Sequence, residues 1–363
     1  MPRTLADDDI VATHADAERA ERAPLLILEP LLAFLDAQND SELFGGGEDT
    51  TIVAIGDGHS NETFHVTRGG AEFVLRRPPR PPIPPSANDM LREARVLTAL
   101  HGHARVPRVL AVCDDETVIG APFYAMELVE GVAVIDAMPP ALDTPEHRRA
   151  SGEELIDALV ELHAVDWRAA GLEGFGKPEG YLERQLRRFG GLWEHNKTRE
   201  IGAVETVGAW LAANLPDSPA STVVHGDYRL GNVLLAEAAP PRITAILDWE
   251  MSTIGDPLAD LGYLCTLYVD RTDPPLGKFE LSSVTRDDGW PLREELVARY
   301  EERSGRSMSD IRWYQVLALW KSVVFMEGNY KRASAGQSDD PYVAQFGDGV
   351  VELAQRALAL TAA

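Results

Sequence analysis

The feature that most constrains this chain is the stretch VVHGDYRLGNVLL, residues 223–235, where a polar loop lies between two short aliphatic runs. Runs of valine and leucine of this length are typical of short, covered strands. Residues 225–232 between them include a histidine, an aspartate, an arginine and an asparagine. Apolar anchors on both sides hold such a loop at a fixed place, and loops of this kind carry function more often than cores do.

A second acidic residue follows another apolar run. ITAIL (243–247) leads directly into Asp248, much as the earlier run leads towards Asp227. We therefore expect the two acids to lie at the ends of neighbouring strands and to face one cleft. Two acids and Asn232 suit magnesium, a hard cation that takes a few carboxylate or amide oxygens and otherwise keeps water or phosphate. Phosphoryl transfer uses the same set, because one acid orients the attacking hydroxyl while an asparagine and another acid hold the metal.

The composition argues against some partners. The chain has 58 Asp and Glu against 34 Lys and Arg, a formal net charge of -24. Since phosphate backbones and anionic membranes attract clustered positive charge, we expect neither a nucleic acid nor a membrane partner. Solubility explains the acid excess, and steering of a cationic substrate is the alternative. The sequence leaves the oligomeric state open.

The chain carries no sign of export or membrane insertion. Its first residues lack the apolar h-region of a signal peptide, and no run approaches the roughly 20 apolar residues of a membrane helix. The two cysteines, Cys113 and Cys265, are too few for a disulfide framework. We therefore expect a cytoplasmic protein.

The length of 363 residues predicts two domains or two lobes, at about 100–200 residues per domain. Residues 1–24 are charged and rich in alanine, which predicts a loose tail or a frayed helix. Residues 25–127 are predicted to form an N-terminal lobe made of a small sheet with one helix. Residues 128–363 are predicted to form a larger, mainly helical C-terminal lobe that holds the opening motif.

Local patterns predict the elements of these lobes. Alternating segments separated by glycine-containing turns predict antiparallel strands at TIVAI, ETFHV and AEFVL, and an apolar face predicts a helix over residues 88–100. Residues 24–38 predict an amphipathic helix that is interrupted near Pro30. Ser151 and Glu154 have the spacing of a capping box, which predicts a helix start there. Helical patterns then recur towards the end of the chain.

The polar loop also has the spacing of a known family. Asp-x-x-x-x-Asn in DYRLGN equals the spacing of the protein-kinase catalytic loop. HGDYRLGNVLL followed by ILDWEMSTIGDPLADLGYL closely resembles the aminoglycoside phosphotransferase and choline kinase superfamily, particularly its branch associated with acyl-CoA dehydrogenases. The resemblance covers residues 50–335 and is most specific at 223–264. It implies an α+β, protein-kinase-like two-lobe fold, with a small antiparallel sheet plus helix and a larger, mainly helical lobe.

The resemblance assigns roles to the loop residues. It implies that Asp227 is the catalytic base, that Asn232 and Asp248 are Mg2+ ligands, and that ATP or GTP is the phosphate donor. Arg229 occupies the place where many kinases keep a lysine near the transferred phosphate. A guanidinium there can bind phosphate oxygens bidentately, and the alternative is an exposed arginine paired with a surface acid.

Other polar residues near the motif are predicted to support it. We expect His225 to fix the loop through a hydrogen bond and Asp260 to brace it from beneath. Asp256 either caps the following helix or lines the metal site, and we favour the cap. We expect a structural role for His163 in LHAVD, whereas Glu327 and its neighbours at the end of an aromatic helix are candidates to reach a substrate.

The N-terminal strands are predicted to bind the nucleotide. In GDGHSN, Ser60 and Asn61 would approach its phosphates, although a plain hairpin turn explains the same residues. The superfamily generally carries a lysine in the third strand, but this chain reads FVLRRP there. Strand alternation favours Arg76 as the replacement, with Glu93 on the next helix as its ion-pair partner, and leaves Arg77 exposed to solvent.

The stretch FYAMELVEG, residues 123–131, resembles the linker strand whose backbone binds adenine. On this resemblance Met126 would form a wall of the adenine site, while Glu127 and Val129 would offer main-chain groups. Burial of Met126 in the lobe core is an equal alternative, because methionine fills gaps anywhere.

These residues together predict a small-molecule kinase that moves the γ-phosphoryl group of ATP or GTP to a hydroxyl. The branch resemblance points to a hydroxylated metabolite such as a hydroxyacyl thioester. Three alternatives remain: an aminoglycoside-type antibiotic kinase, a nucleotide-binding pseudokinase with a regulatory role, and a metal-dependent hydrolase. Protein substrates are disfavoured, because no Ala-Pro-Glu signature follows Asp248.

Overall fold

The computed structural model describes residues 4–47, 49–56, 61–81, 88–218, 221–274, 282–336 and 346–362. The chain divides into two compact units. Unit 1 comprises Met1–Glu130 together with Leu247–Glu250, and unit 2 comprises Gly131–Ile246 together with Met251–Ala363. Among the described residues, no helix is both long and apolar enough to cross a membrane.

The first residues of unit 1 differ from the predicted loose tail. β1 (Ile10–Val11) pairs in parallel with β2 (Leu26–Ile27), and α1 (His14–Arg19) lies between them in the chain. A capping box between Thr13 and Asp16 starts α1. The alanine- and charge-rich composition hides these contacts, because a strand of two residues is too short to give a periodic pattern.

The next helix also differs from its prediction. α2 (Leu28–Asp36) begins two residues before Pro30, so the proline lies in the first turn, where a missing N–H removes no helix hydrogen bond. The predicted interruption near Pro30 is therefore a helix start. A short α3 (Ser41–Phe44) follows, with the Asp40 carboxylate accepting the Leu43 N–H at 3.1 Å.

A five-stranded antiparallel sheet forms the core of unit 1. Its strands are β3 (Thr50–Ile55), β4 (Glu62–Arg68), β5 (Ala71–Arg77), β6 (Val109–Cys113) and β7 (Phe123–Glu127). They lie in the order β3-β4-β5-β7-β6, and α4 (Met90–Leu100) packs on β6 and β7. The three predicted strands and the predicted helix are confirmed. Phe64, Phe73 and Phe123 are fully buried, as alternation along a one-sided sheet requires.

Unit 2 is mainly helical. Its helices are α5 (Pro145–Ala164), α6 (Tyr181–Asn196), α7 (Gly202–Ala213), α8 (Leu258–Leu267), α9 (Arg293–Ser304), α10 (Ile311–Ser334) and α11 (Phe346–Ala362). α10 packs against α6, α7, α8 and α11, and its apolar residues are buried around much of its circumference. The sequence did not predict α6, whose arginines and paired glycines weaken the helical pattern.

The start of α5 corrects the predicted capping box. Thr144 accepts the His147 N–H at 3.3 Å, and Pro145 occupies the first helical position, which suits its fixed φ angle. Ser151 lies inside the helix, where its hydroxyl donates to the His147 carbonyl at 2.8 Å. A serine can bond back to the preceding turn in this way, so the spacing of Ser151 and Glu154 did not mark a helix start.

The motif strands of unit 2 form two short antiparallel pairs. β8 (Thr222–Val224) pairs with β11 (Thr253–Gly255), and β9 (Val233–Leu235) pairs with β10 (Ile243–Ile246). The two predicted strands around the polar loop are confirmed. However, β8 and β10 belong to different ladders, so the expectation that Asp227 and Asp248 follow neighbouring strands is wrong.

Candidate active site

The polar loop of unit 2 is held between the end of β8 and the start of β9. A 3-10 turn, Leu230–Asn232, closes it. Gly226 has φ of 90°, a backbone conformation that side chains rarely adopt. A Cβ at Gly226 would lie 2.6 Å from the Met251 carbonyl oxygen, so both the turn and the close backbone approach require glycine.

Asp227 is oriented by Asn232. The Asn232 Nδ2 donates to the Asp227 main-chain oxygen at 2.9 Å and to its Oδ2 at 2.6 Å. Because the amide nitrogen is used on the protein, Oδ1 of Asn232 is the atom that suits a cation. Arg229 Nε lies 3.6 Å from Asp227 Oδ2. The acid that pairs with this arginine is therefore Asp227, the predicted catalytic base.

Asp260 braces the loop from beneath, as predicted. Its carboxylate accepts the N–H groups of His225 and Gly226, each at 2.7 Å, and lies 3.1 Å from His163 Nε2. Burial works to raise the pKa of Asp260, but the hydrogen bonds and the facing histidines hold it below its ordinary value. The other ring nitrogen of His163 is 2.7 Å from the Tyr300 hydroxyl, which fits the predicted structural role.

The remaining supports lie close to the same loop. His225 Nδ1 accepts the Asp227 N–H at 3.2 Å, which is the loop-fixing bond that the sequence predicted. Asp256 accepts the Leu258 N–H at 3.0 Å and so supports the start of α8, although the N-cap position itself is Pro257. Asp256 also accepts the hydroxyl of Tyr314 at 2.7 Å, and burial raises its pKa above the ordinary value.

Unit 1 contains the other group of candidate residues. Arg76 Nε lies 3.2 Å from the Glu93 carboxylate, so the predicted ion pair is present. The same guanidinium donates from Nη2 to Asp248 Oδ1 at 2.6 Å, and the Trp249 N–H donates to Glu93 at 3.3 Å. One arginine therefore joins the helix acid to the predicted metal ligand.

Arg76 and Glu93 each shift the pKa of the other. Burial raises the pKa of Glu93, and the Arg76 guanidinium works in the opposite direction. Burial also opposes the charge on Arg76, yet Glu93, Tyr124 and Asp248 leave the arginine pKa above its ordinary value. Arg76 is consequently charged at every physiological pH, and the two carboxylates neutralise it.

Tyr124 is a member of this group that sequence analysis missed. It lies on β7 directly opposite Arg76 in the ladder, and its buried hydroxyl forms a hydrogen bond with Glu93. Burial, followed by the neighbouring Glu93 charge, raises the pKa of Tyr124 well above its ordinary value. The sequence analysis did not pair these two strands, and the register that brings the two residues together is set by the fold.

The backbone at Asp248 is unusual. Its φ of 65° is in the left-handed region, which aspartate tolerates better than most residues. Two residues on, Glu250 accepts the Asn61 Nδ2 at 3.0 Å, while Asn61 Oδ1 accepts Asn88 Nδ2 at 2.9 Å. Both ends of the Asn61 amide are thus engaged within unit 1, whereas the phosphate contact predicted at Ser60 lies outside the described residues.

The predicted adenine-binding residues lie at and just beyond the end of β7. Met126 is buried in β7, where it pairs with Val74 and Val109, a position that suits both the predicted wall of the adenine site and the lobe core. The Glu127 N–H donates to the Arg108 carbonyl at 2.9 Å, so that main-chain donor is already used. Val129 is half-buried, two residues beyond the end of the strand.

Arg77 corrects the expectation of an exposed side chain. It is buried, and its guanidinium donates to the carbonyls of Pro78, at 2.9 Å, and Leu25. Burial lowers the pKa of Arg77 to about 10. The sequence missed this contact because it depends on residues beside β2, which the prediction assigned to no strand.

Glu327 also differs from its prediction. It is fully buried, and its carboxylate accepts the N–H of Thr198 at 3.0 Å and the hydroxyl of the same residue at 2.5 Å. Arg199 lies 3.3 Å from its second oxygen. Glu327 therefore holds the segment after α6 instead of reaching a substrate.

A divalent cation fits the donor set by chemistry. Within the described ranges, no group of three or more His, Cys, Asp or Glu side chains is placed to hold a metal ion. The predicted ligands are one amide and one carboxylate, and magnesium commonly takes a few protein oxygens and keeps water or phosphate at its other positions. Asn232 Oδ1 and the Asp248 carboxylate are oxygen donors of this kind.

The fold and the loop geometry define a protein-kinase-like class, an α+β protein with a five-stranded antiparallel sheet and a helical unit. The solved structures of aminoglycoside kinases share it. A mutant of aminoglycoside phosphotransferase APH(4)-Ia in ternary complex with AMP-PNP and hygromycin B has a TM-score of 0.57 at 17% identity, covering 92% of this chain and 98% of that one. At this identity the likeness concerns the fold alone.

Residues 51–308 match the phosphotransferase enzyme family (APH), and the chain belongs to that family. A crystal structure of a candidate aminoglycoside phosphotransferase from Ralstonia eutropha JMP134 is similar to it, with a TM-score of 0.78 and 30% identity over 92% of this chain and 98% of that chain. This agrees with the resemblance that the motif residues carry.

The chain is also similar to one region of larger proteins. Acyl-CoA dehydrogenase family member 10 of Mus musculus is 34% identical over 309 residues, 84% of this chain and 29% of the relative. Acyl-CoA dehydrogenase family member 11 of Homo sapiens is 32% identical over 336 residues, 90% of this chain and 42% of the relative. The chain thus spans less than half the length of these relatives.

Proposed function

We propose that this protein transfers the γ-phosphoryl group of ATP or GTP to a hydroxyl group of a small molecule, with Asp227 as the base. The observation that carries the proposal is the contact of Asn232 Nδ2 with Asp227, 2.6 Å from Oδ2 and 2.9 Å from the main-chain oxygen. This bond fixes one carboxylate oxygen and leaves the other to accept the acceptor hydroxyl. Holding the hydroxyl in line with the phosphate accounts for much of the acceleration in such reactions.

The loop supports suit this role. The bonds from Asp260 to the N–H groups of His225 and Gly226 restrict the backbone on the N-terminal side of Asp227. A base held this way loses little conformational freedom when the acceptor arrives, which is the physical content of preorganisation. Arg229, 3.6 Å from Asp227, is proposed to contact the transferred phosphate.

Asn232 and Asp248 are the proposed Mg2+ ligands. The cation, when bound, would neutralise charge on the nucleotide phosphates. Arg76 is proposed to bind those phosphates as well, in place of the lysine that kinases carry, and Glu93 orients it. We propose that the nucleotide base lies against Met126, the main-chain carbonyl of Glu127 and Val129. Ser60 and Asn61 are proposed to lie near the nucleotide phosphates.

For the acceptor we propose a hydroxyacyl thioester or a related hydroxylated metabolite. The support is the similarity to proteins named as acyl-CoA dehydrogenase family members, of which this chain matches one region. An aminoglycoside is the second candidate, because one structural relative with a TM-score of 0.59 is described in complex with GDP and kanamycin. The two acceptors differ in charge, so one panel of compounds separates them.

The experiment is magnesium-dependent consumption of ATP or GTP by the purified protein with hydroxyacyl thioesters, aminoglycosides, macrolides or choline. We expect one acceptor class to stimulate turnover, and we expect Asp227→Asn to abolish the stimulation. Asp217→Asn, an exposed carboxylate in the same unit, is the matched control and should behave as wild type. Nucleotide binding without turnover for any acceptor would favour the regulatory pseudokinase.

A further inference from the structure

A partly buried lysine of unit 2 packs on an aromatic ring. Lys321 on α10 is half-buried, and its Nζ lies 4.9 Å from the centroid of the Phe189 ring on α6. In the part of the chain that the structure describes, no carboxylate forms an ion pair with this ammonium group. Contact with an aromatic face offsets only part of the desolvation of a cation.

The charges near Lys321 oppose one another. Burial lowers the pKa of its ammonium group to about 8; the Asp260 carboxylate works in the opposite direction, and the Arg188 cation lowers the pKa further. Asp260 is already engaged by two N–H groups and by His163. A ligand anion in contact with Lys321 would supply the ion-pair partner that Asp260, which is engaged elsewhere, does not.

A second cation faces the same aromatic ring. Arg188 Cζ lies 6.0 Å from the Phe189 ring centroid. Arg184, four residues earlier and on the same face of α6, directs its guanidinium at the main-chain carbonyls of Lys177 and Glu179. This face of α6 is therefore basic, although the whole chain has a net charge of -24.

The basic face is connected to the catalytic loop through the fold. Tyr181 at the start of α6 packs so closely on β11 that a Cβ at Gly255 would lie 2.6 Å from its ring. β11 pairs with β8, and β8 leads directly into the loop that holds Asp227. Asp260, which braces that loop, and Arg188 both act on the pKa of Tyr181, which burial raises above its ordinary value.

We propose that Lys321 and Arg188 form the part of the acceptor site that binds an anionic group, either a carboxylate or a phosphate. This inference rests on the proposed function, because it concerns the molecule whose hydroxyl Asp227 receives. It assigns the acceptor to anionic hydroxy compounds and disfavours polycationic aminoglycosides, which two cations would repel. A free hydroxy acid offers a carboxylate, and a hydroxyacyl-CoA offers the phosphates of the CoA group.

The first test compares a carboxylate, a CoA thioester and a neutral amide of the same hydroxy acid. Turnover is measured with 6-hydroxyhexanoate, its CoA thioester and the neutral 6-hydroxyhexanamide. In Lys321→Met, we expect kcat/KM for the anionic acceptor to fall roughly tenfold or more relative to the amide, mainly through KM. Lys321→Arg keeps the charge and should retain the preference. An unchanged ratio of anionic to neutral acceptor in Lys321→Met would overturn the proposal.

The second test does not depend on turnover. The sequence has lysines at only 177, 197, 278, 321 and 331, so reductive 13C-methylation gives a simple NMR spectrum, and Lys321→Arg identifies one signal. Without nucleotide, we expect 6-hydroxyhexanoate or CoA to shift the Lys321 signal and to raise its pKa from the value of about 8. The responding compound identifies carboxylate or phosphate as the ligand group.

These two tests distinguish a failure of the proposed anion site from a failure of the proposed kinase function. A Lys321 signal that responds to neither compound contradicts the anion site, whatever the kinase activity. A response without phosphoryl transfer to any acceptor supports the anion site and contradicts the proposed function. Lys331→Arg, on the same helix at an exposed position, is the control that should leave the Lys321 signal and the acceptor preference unchanged.

Discussion

The guanidinium of Arg76 donates to the Asp248 carboxylate at 2.6 Å while its Nε lies 3.2 Å from Glu93. The residue that we propose in place of the kinase lysine is therefore bonded to the proposed metal ligand. Arginine reaches two acids at once because its donors form a rigid planar fork, whereas a lysine ammonium is a single point of charge. Nucleotide and magnesium binding would have to share this pair.

Replacing Arg76 by lysine tests whether nucleotide binding needs the planar guanidinium group. We expect Arg76→Lys to raise KM for the nucleotide several-fold, because a lysine cannot hold both carboxylates in this geometry. Arg76→Met should raise KM much further. Steady-state kinetics with varied ATP and GTP measure the effect, and exposed Arg108→Lys in the same unit is the control. Equal KM values for wild type and Arg76→Met would remove Arg76 from the nucleotide site.

Removing the Glu93 charge tests the buried ion pair. Glu93 is buried and receives bonds from Arg76 and the Trp249 N–H. We expect Glu93→Ala to destabilise unit 1 by about 3 kcal/mol, since loss of one partner leaves the other charge buried without compensation. The urea midpoint of unfolding reports the change. Exposed Glu42→Ala should unfold as wild type does, and an equal midpoint for Glu93→Ala would mean that solvent reaches Arg76 freely.

The loop brace predicts a pH dependence. Asp260 has a pKa below 3.8 in the folded protein and the ordinary value when unfolded, so its ionised form stabilises the fold above pH 3.8. That contribution is lost as the pH falls through the folded pKa. The difference in unfolding free energy between wild type and Asp260→Asn should thus be constant near neutrality and shrink below pH 3.8. A difference that grows on acidification would contradict the sign of the shift.

Gly226 allows a prediction with a matched control. Gly226 and Gly174 both have positive φ, 90° and 75°. Of these two glycines, only Gly226 has a backbone oxygen that would lie 2.6 Å from an added Cβ. Gly174→Ala should cost about 1 kcal/mol from backbone strain alone. Gly226→Ala should cost clearly more and should also lower kcat, because it displaces the residue before Asp227. Thermal unfolding and turnover of the two variants measure these costs. Equal effects of the two substitutions would contradict an extra cost from the close backbone oxygen at Gly226.

The parts of the fold that the sequence predicted are those with local signals. Alternation defined the strands around residues 51–75, and a polar interruption between apolar runs defined the loop at 225–232. The Arg76–Glu93 pair followed from the resemblance to kinases, and alternation only selected Arg76 over Arg77. For the strands and the loop, neighbouring residues in the chain contained the information.

The missed parts depend on contacts between distant residues. Nothing near Val223 indicates that β8 pairs with β11 instead of β10, because register is set by partners and not by the strand alone. Arg77 is buried by carbonyls about fifty residues away in the chain, at Leu25. The position of Lys321 against the Phe189 ring depends on the packing of α10 on α6.

Asp227 is the proposed base for phosphoryl transfer to a hydroxyl. The most direct measurement is single-turnover transfer of labelled phosphate from γ-32P ATP to the acceptor that the panel selects, for wild type, Asp227→Asn and Asp217→Asn. We expect a loss of roughly 10²-fold or more in the transfer rate for Asp227→Asn, with nucleotide affinity and the Asp217→Asn rate unchanged. A transfer rate that Asp227→Asn leaves near the wild-type value would contradict this role of Asp227.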